Sequence, residues 1–168
     1  MRIVRACWLG VLAGVLLTAA VEAQRPSRRM ALEWPAVDGE GLASLRLGFD
    51  EAYAPGLFGP PDSVAASPVA GRLLRYDVTP GVRLDVHVAD GKIRALGLTT
   101  TGPEPPPRSP QTVRGVRLGT PVSLVIERYG EPPGGRLWYT DAGIAFNLES
   151  AADTVESILV FPPGTAPR

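Results

Sequence analysis

The fold is decided by residues 116–161, which read VRLGTPVSLVIERYGEPPGGRLWYTDAGIAFNLESAADTVESILVF. This stretch contains one short helical pattern and then three strand patterns separated by turn residues. The same order occurs earlier, in residues 45–98, which begin Leu-Arg-Leu-Gly. Gly48 and Gly119 lie 71 positions apart, and after an insertion the corresponding residues lie 62 positions apart. We interpret this pattern as a tandem duplication.

The later copy has the clearer helix signal. Thr120 is a predicted N-cap, and Pro121 suits the first position of a helix. Apolar side chains then recur at helical spacing until Gly130, which predicts a helix over 121–129. Three strands are predicted after it, over 136–140, 143–148 and 154–161.

The earlier copy has a weaker helix signal. A short strand is predicted at 45–47, and Asp50 is a plausible N-cap for a helix that ends at Phe58. Pro55 and Gly56 both disfavour the helical conformation, so a kink or a short helix is expected. Residues 60–71 contain the nine additional residues of this copy and are predicted to form a loop, a second short helix or a binding loop.

Three further strands are predicted over 72–78, 82–88 and 92–99. In the middle one, apolar and polar side chains alternate, which is typical of a strand with one buried face. Asp90-Gly91 is a strong hairpin signal between the second and third strands. The predicted fold is therefore α+β, with two tandem repeats that each pack helical segments on a three- to four-stranded antiparallel sheet.

The ends of the chain and its centre have separate signals. Arg2 and Arg5 precede an apolar run over 6–20 and a small-residue cleavage site at Ala23, which is typical of an export signal. The apolar run is shorter than the roughly 20 residues needed to cross a bilayer, so a retained anchor is the weaker alternative. The predicted organisation is a signal peptide at 1–23, a leader at 24–40, repeat 1 at 41–101, a proline-rich linker at 102–112, repeat 2 at 113–161 and a tail at 162–168.

Composition narrows the function classes. Cys7 is the only cysteine and lies in the export signal, so the exported chain has no disulfide, thiol nucleophile or cysteine ligand. It also lacks a cysteine at the cleavage site for a lipid anchor, and we expect a soluble product without a stable membrane anchor, in the periplasm or outside the cell. Without residues 1–23 the chain keeps 15 basic and 16 acidic side chains. That balance argues against nucleic acid as a partner.

The candidate catalytic groups are few. His87 is the only histidine, and it follows Asp85 on the polar side of an alternating strand. A general base needs a second group that orients it, and the sequence has no obvious nucleophile beside it. Zinc needs three or four suitable ligands, and no such cluster is evident. We therefore predict a non-enzymatic protein without a cofactor or metal, in which His87 is a surface residue.

A sheet face is the predicted binding surface. Trp138 and Tyr139 are adjacent in a strand, so one should point into the core and the other outward. The offset between the copies matches Tyr76 with Trp138. An exposed mixture of aromatic, arginine and acidic side chains is typical of protein-recognition surfaces, although an ordinary solvated sheet face is an equal alternative. The predicted binding residues are Tyr76, Arg83, Asp85, His87, Trp138, Tyr139 and Asn147.

The repeated pattern resembles a known module. Gly-Val-Arg-Leu-Gly-Thr at 115–120, Tyr-Gly-Glu-Pro at 129–132, Gly-Ile-x-Phe at 143–146 and Val-x-Ser-Ile at 155–158 are similar to the helix-on-sheet module of the BamE (SmpA/OmlA) envelope lipoproteins. In its doubled form the pattern resembles the tandem module of β-lactamase inhibitor protein. The resemblance implies lobes whose sheets could join into one binding surface. The lipid anchor of the first group and the disulfides of the second are missing here.

Three functions follow as hypotheses. The first is an exported, non-enzymatic interaction module of the bacterial cell envelope that binds a protein partner through an exposed sheet face. The second is an envelope structural factor that recognises peptidoglycan or another glycan through its aromatic side chains. The least favoured is an exported hydrolase, which would need a pocket that brings His87 together with distant carboxylates.

Overall fold

The computed structural model describes residues 35–67, 71–102, 109–149 and 152–165. The predicted signal peptide at 1–23 lies outside these ranges. So do most of the predicted leader, the centre of the proline-rich linker and the last three residues of the tail.

Strands dominate the described chain, and two short α-helices accompany them. Every strand predicted from the sequence is found, with ends that differ by a few residues. One strand, β3, lies inside the segment predicted as a loop. The elements are β1 Gly41–Leu42, β2 Leu45–Arg46, α1 Tyr53–Phe58, β3 Ser63–Ala66, β4 Arg72–Thr79, β5 Val82–Ala89, β6 Lys92–Thr100, α2 Val122–Tyr129, β7 Trp138–Tyr139, β8 Ile144–Glu149 and β9 Thr154–Val160, with a 3-10 turn at Pro133–Gly135 before β7.

The large sheet has seven strands in the order β3-β4-β5-β6-β9-β8-β7, and each strand is antiparallel to its neighbours. β1 and β2 form a separate two-stranded sheet. The pairing of β6 with β9, in which Leu96 lies opposite Val160 and Leu98 opposite Ile158, joins the two sequence halves in one sheet. The predicted α+β class with an antiparallel sheet is thereby confirmed.

Both helices pack on the same face of this sheet, which we call the inner face. Phe58 of α1 lies against Tyr76 of β4, with ring centroids 5.5 Å apart. Tyr129 of α2 lies 5.1 Å from both the Tyr139 and the Phe146 ring. The buried apolar side chains of both halves form one continuous core. Burial of this apolar area is the main stabilising contribution to the fold.

The two predicted N-caps act differently from the expectation. α1 begins at Tyr53, and the Asp50 carboxylate accepts a hydrogen bond from the Ala52 N–H at 3.0 Å, before the helix begins. α2 begins at Val122, and the Thr120 hydroxyl accepts a hydrogen bond from the Arg117 N–H at 2.9 Å. Both side chains therefore stabilise the turn that leads into the helix. Pro55 and Gly56 limit α1 to six residues, as their helix propensities predict.

Part of the predicted leader is bound to the fold. The Ala36 N–H donates to Gln111 O at 2.9 Å, and Ala36 O accepts from the Val113 N–H at 3.1 Å. Asp38 accepts a hydrogen bond from the Tyr129 hydroxyl at 2.9 Å. Burial raises the pKa of both of these groups, and the hydrogen bond to Tyr129 opposes that shift at Asp38. This segment consequently ties the N-terminal part of the described chain to α2.

Candidate functional site

The face of the seven-stranded sheet opposite the helices, which we call the outer face, carries most of the predicted binding residues. Its central row crosses the sheet from Arg75 through Asp85, Gly97, Leu159 and Ala145 to Trp138. The next row contains Asp77, Arg83, Thr99, Ser157 and Asn147. In the central row, the residues on β4 and β5 form a charged half of the outer face, and those on β7, β8 and β9 form an apolar half.

Two ion pairs make up the charged half. Arg83 Nε donates to Asp77 Oδ1 at 3.0 Å, and the Arg83 side chain is 37% exposed. Arg75 Nε lies 3.7 Å from Asp85 Oδ1, a distance too long for a hydrogen bond. Both of these atoms are buried and have no hydrogen-bond partner within the described ranges. Arg75 and Asp85 therefore attract each other through their charges, but these two atoms do not form a hydrogen bond with each other or with another group in the described ranges.

Burial is the main influence on Asp85. It raises the pKa of this carboxyl group above its ordinary value, while the positive charges of Arg75 and Arg83 act in the opposite direction. Asp77 adds a smaller contribution that also raises the pKa. An acceptor from a bound partner could reach the exposed part of this cluster, since the Arg75 side chain is 40% exposed.

His87 is buried rather than exposed, which corrects the expectation of a surface histidine. Only 6% of the residue is accessible, and its Nδ1 lies 2.7 Å from Ser67 Oγ. Burial, and then the positive charge of Arg75, lower the pKa of His87 to about 4. The ring is consequently neutral at pH 7. It lies two residues beyond Asp85 in β5, next to the charged half.

The Ser67–His87 pair resembles the start of a nucleophile–base arrangement. A histidine with a pKa of about 4 is a weak base, because efficient general bases have a pKa near the working pH. In the described ranges no carboxylate is hydrogen-bonded to the ring. The same part of the chain contains no group of three or more histidine, cysteine, aspartate or glutamate residues that could hold a metal ion.

Trp138 anchors the apolar half. It is partly buried and packs with Leu159 against Ala95, Ala145 and Phe161 in a small second cluster. The Arg136 guanidinium lies over the Trp138 ring, 5.7 Å from its centroid, which is within the range of a cation–π interaction. The apolar half thus combines a large aromatic side chain with a cation.

Gly97 lies between the two halves. A side chain there would begin 3.3 Å from Asp85 Cβ and 3.8 Å from Leu159 Cδ1. Gly97 is itself buried, so an added side chain would press against the Asp85 side chain. Asn147, at the other side of the face, is exposed and donates to Ser157 Oγ at 2.8 Å.

Two predicted binding residues belong to the core instead. Tyr76 is fully buried, and Tyr139 is 8% exposed and donates its hydroxyl hydrogen to Gly130 O at 2.9 Å. Burial raises the pKa of Tyr139. The expectation that Trp138 and Tyr139 point to opposite faces is confirmed, with Trp138 as the outward member.

The predicted match between Tyr76 and Trp138 is wrong by one residue. Tyr76 pairs with Leu84, for which the offset of 62 gives Phe146. The Phe146 N–H, however, donates to Leu137 O, and Trp138 lies opposite Ala145. Two residues separate Thr79 from its partner Val82, and β4 has a register shift between Asp77 and Thr79, whereas four residues separate Tyr139 from its partner Ile144. This difference between the two hairpins changes the register, and a one-residue shift moves each side chain to the other face.

Several residues of the outer face were missing from the sequence-based set, notably Arg75, Arg136, Leu159 and Phe161. Arg75 has a usable signal, because it alternates with the apolar residues of β4 in the same way as Asp77. The other three had none, since their positions depend on the pairing of β9 with β6 and β8.

Comparison with known proteins identifies the fold but no family. No family model matches the chain, and no curated protein matches it. Among solved structures, a cysteine-rich secretory protein of Staphylococcus aureus is similar with a TM-score of 0.50 and 12% identity, over 77% of this chain and 48% of that one. An extracellular protein of Bacillus anthracis that contains an SCP domain has a TM-score of 0.47 and 11% identity, over 69% and 44%. The chain thus spans about half the length of these proteins.

These comparisons overturn the resemblance to the BamE lipoproteins and β-lactamase inhibitor protein. The similar structure with a TM-score of 0.50 is a cysteine-rich secretory protein, and none of the comparisons supports a tandem repeat of the expected family. The shared turn and core residues explain the error, because short helix-on-sheet units of different families need similar turns. In the described ranges, no helix has the length and apolarity that spanning a membrane requires.

Proposed function

We propose that this chain is an exported, non-enzymatic binding module whose outer face holds a protein partner. The export signal predicted at residues 1–23 supports the location. The similar structure from Staphylococcus aureus is described as a secretory protein, which agrees with that proposal. The partner would contact the outer face in the cell envelope or outside the cell.

The central row of the outer face is the observation that carries this proposal. It carries the Arg75–Asp85 ion pair at one end and the half-buried Trp138 at the other. Protein interfaces are enriched in tryptophan and arginine, and a few such residues supply most of the binding energy. A partner that accepts a hydrogen bond from the exposed part of Arg75 and covers Trp138 would satisfy the first and bury the second.

A glycan is the second candidate, on a different surface. Phe49 and Tyr53 are 38% and 54% exposed, and their ring centroids lie 4.8 Å apart. Beside them, Ala52, Tyr53, Gly56 and Leu57 line an open hollow of about 280 Å³. The hollow is almost entirely apolar, whereas glycan sites need hydrogen-bonding groups to orient the sugar. We therefore place the glycan function second.

The two functions are separated by substituting two residues on the outer face and one on the other surface. The chain, purified from cells that express all 168 residues, is incubated with envelope extract and with purified cell wall. We expect Trp138→Ala and Arg83→Ala to reduce retention of a protein partner by at least about tenfold, as truncation of a binding hot spot does. Tyr53→Ala, on the other surface, should leave this retention unchanged.

Thermal unfolding of each variant serves as the folding control. The proposed face is wrong if folded Trp138→Ala and Arg83→Ala proteins retain the same partners as the unmodified chain. Sedimentation with cell wall that Tyr53→Ala abolishes would favour the glycan function instead.

The non-enzymatic part of the proposal has its own test. A fluorophosphonate probe reacts with activated serine hydroxyls, and we expect it to leave Ser67 unmodified because the neutral His87 is a weak base. Intact-mass measurement after exposure at pH 7 checks this. Stoichiometric labelling that Ser67→Ala removes would contradict the proposal and revive the hydrolase hypothesis.

A further inference from the structure

Among the described residues, no strand pairs with the outer edge of β3, Ser63–Ala66, which we call the open edge. Within those ranges β3 is the terminal strand of the large sheet and pairs with β4 on one side only. Three of its four residues are exposed, and Val64 has 55% of its surface accessible. Exposed strand edges present backbone donors and acceptors to any further strand.

The hydrogen-bond pattern shows which residues face outward. The Ser67 N–H donates to Gly71 O at 3.0 Å, and Ser67 and Gly71 continue the register that pairs Ala65 with Leu73. Backbone groups alternate in direction along an antiparallel strand. Ser63, Ala65 and Ser67 therefore direct their backbone groups toward β4, while Val64 and Ala66 direct theirs toward the open edge.

β3 has no charged side chain and no proline along this edge. Soluble proteins use both to protect exposed edges, and the four residues Ser-Val-Ala-Ala include neither. At the other end of the sheet, β7 has only two residues and follows the exposed Arg136. β3 is thus the edge that is better suited to adding a strand.

We propose that two copies of this chain associate by antiparallel pairing of their β3 strands about a two-fold axis. The register that uses the outward groups places Val64 opposite Ala66 of the other copy, and Ala66 opposite its Val64. Each of these two pairs exchanges two backbone hydrogen bonds, which makes four in total. Ala65 lies opposite itself at the axis, where its small side chain permits the close approach of a non-hydrogen-bonded pair.

A second copy fits this edge because the pairing is self-complementary. A two-fold axis brings the same surface of both chains together, and in this register no charged residue of β3 lies opposite another. The formal net charge of the whole chain is +0 at pH 7, so no long-range repulsion opposes self-association. A four-residue strand buries less than the roughly 1,200 Å² of a standard interface, and the dimer should therefore be weak and concentration-dependent.

Sedimentation equilibrium of the full chain, from about 10 µM to 1 mM, tests the dimer. We expect the mean mass to rise toward twice the chain mass over this range. Val64→Pro removes an outward N–H from each copy and leaves the bonds to β4 in place, so it should weaken the dimer at least about tenfold. Val64→Thr keeps the donor and the strand preference and should dimerise like the unmodified chain.

Hydrogen exchange provides a measurement that needs no substitution. The amides of Val64 and Ala66 should exchange more slowly at high than at low protein concentration, while those of Ser63 and Ala65 stay unchanged. The proposal would be overturned if the chain remained a single monomeric species at 1 mM, which is on the order of the weakest dissociation constant expected for the dimer. So would a dimer that forms equally well with a folded Val64→Pro chain, since its contacts would lie elsewhere.

Discussion

The buried His87 ring is expected to lower the free energy of unfolding by about 3 kcal/mol as the pH falls from 7 to 4, and His87→Gln should remove this loss. The pKa of His87 is lowered from 6.5 in the unfolded chain to about 4 in the folded one. Between these values the unfolded chain binds more protons than the folded chain. The stability associated with the neutral ring is therefore complete above pH 6.5 and is lost as the pH falls toward 4. Glutamine is neutral throughout and can still bond Ser67.

Urea unfolding of the unmodified chain and of His87→Gln between pH 7 and pH 4.5 measures this effect as the difference between their free energies of unfolding. The difference is needed because burial raises the pKa of Asp38 and Asp85, whose contributions have the opposite sign. Those contributions are common to both proteins and cancel. The free energy of unfolding of the unmodified chain should fall more steeply as the pH is lowered. Equal slopes for the two proteins would show that His87 is not held neutral by burial.

Gly143→Ala is expected to destabilise the protein by about 3 kcal/mol more than Gly81→Ala. Both glycines lie in a turn between neighbouring strands and have a positive φ, of 72° and 79° respectively. Alanine in that conformation costs about 1 kcal/mol at either position. A Cβ on Gly81 meets nothing within 4 Å, whereas one on Gly143 would collide with the Phe161 carbonyl oxygen and lie 2.7 Å from Gly39 Cα.

Chemical unfolding of both variants at pH 7 gives this comparison directly. The atoms around Gly143 belong to the backbone, so no side-chain rotation can relieve the collision. The contacts also join Gly39 to the end of β9, and Gly143→Ala should loosen the segment around Ala36–Gly41. Similar decreases in the free energy of unfolding for the two variants would show that the segment around Ala36–Gly41 can move away from the new methyl group at little energetic cost.

The hairpins of this protein were predictable because their signals are local. Alternating side chains over 82–88 and the Asp90-Gly91 turn give β5, β6 and their register. β3 had no such signal, since Ser-Val-Ala-Ala lacks alternation and lies near prolines. Its conformation depends on the hydrogen bonds that it makes with β4.

The candidate site was predictable in part for the same reason. Arg83 and Asp85 were placed correctly on the outer face by the alternation of β5. His87 shares that alternation, but its burial depends on neighbours from other strands and on Ser67. Tyr76 was assigned to the wrong face, because the constant offset of 62 assumed equal connections from β4 to β5 and from β7 to β8.

By itself, the sequence determined most of the strands, the positions of their turns and the face to which most side chains point, since periodicity and turn chemistry act over a few residues. Only the tertiary structure decided that β6 pairs with β9, so that one sheet spans both halves. It also decided which polar residues are buried and placed Trp138 in the same row as Arg75 and Asp85. These features depend on contacts between residues far apart in the chain, which no local pattern encodes.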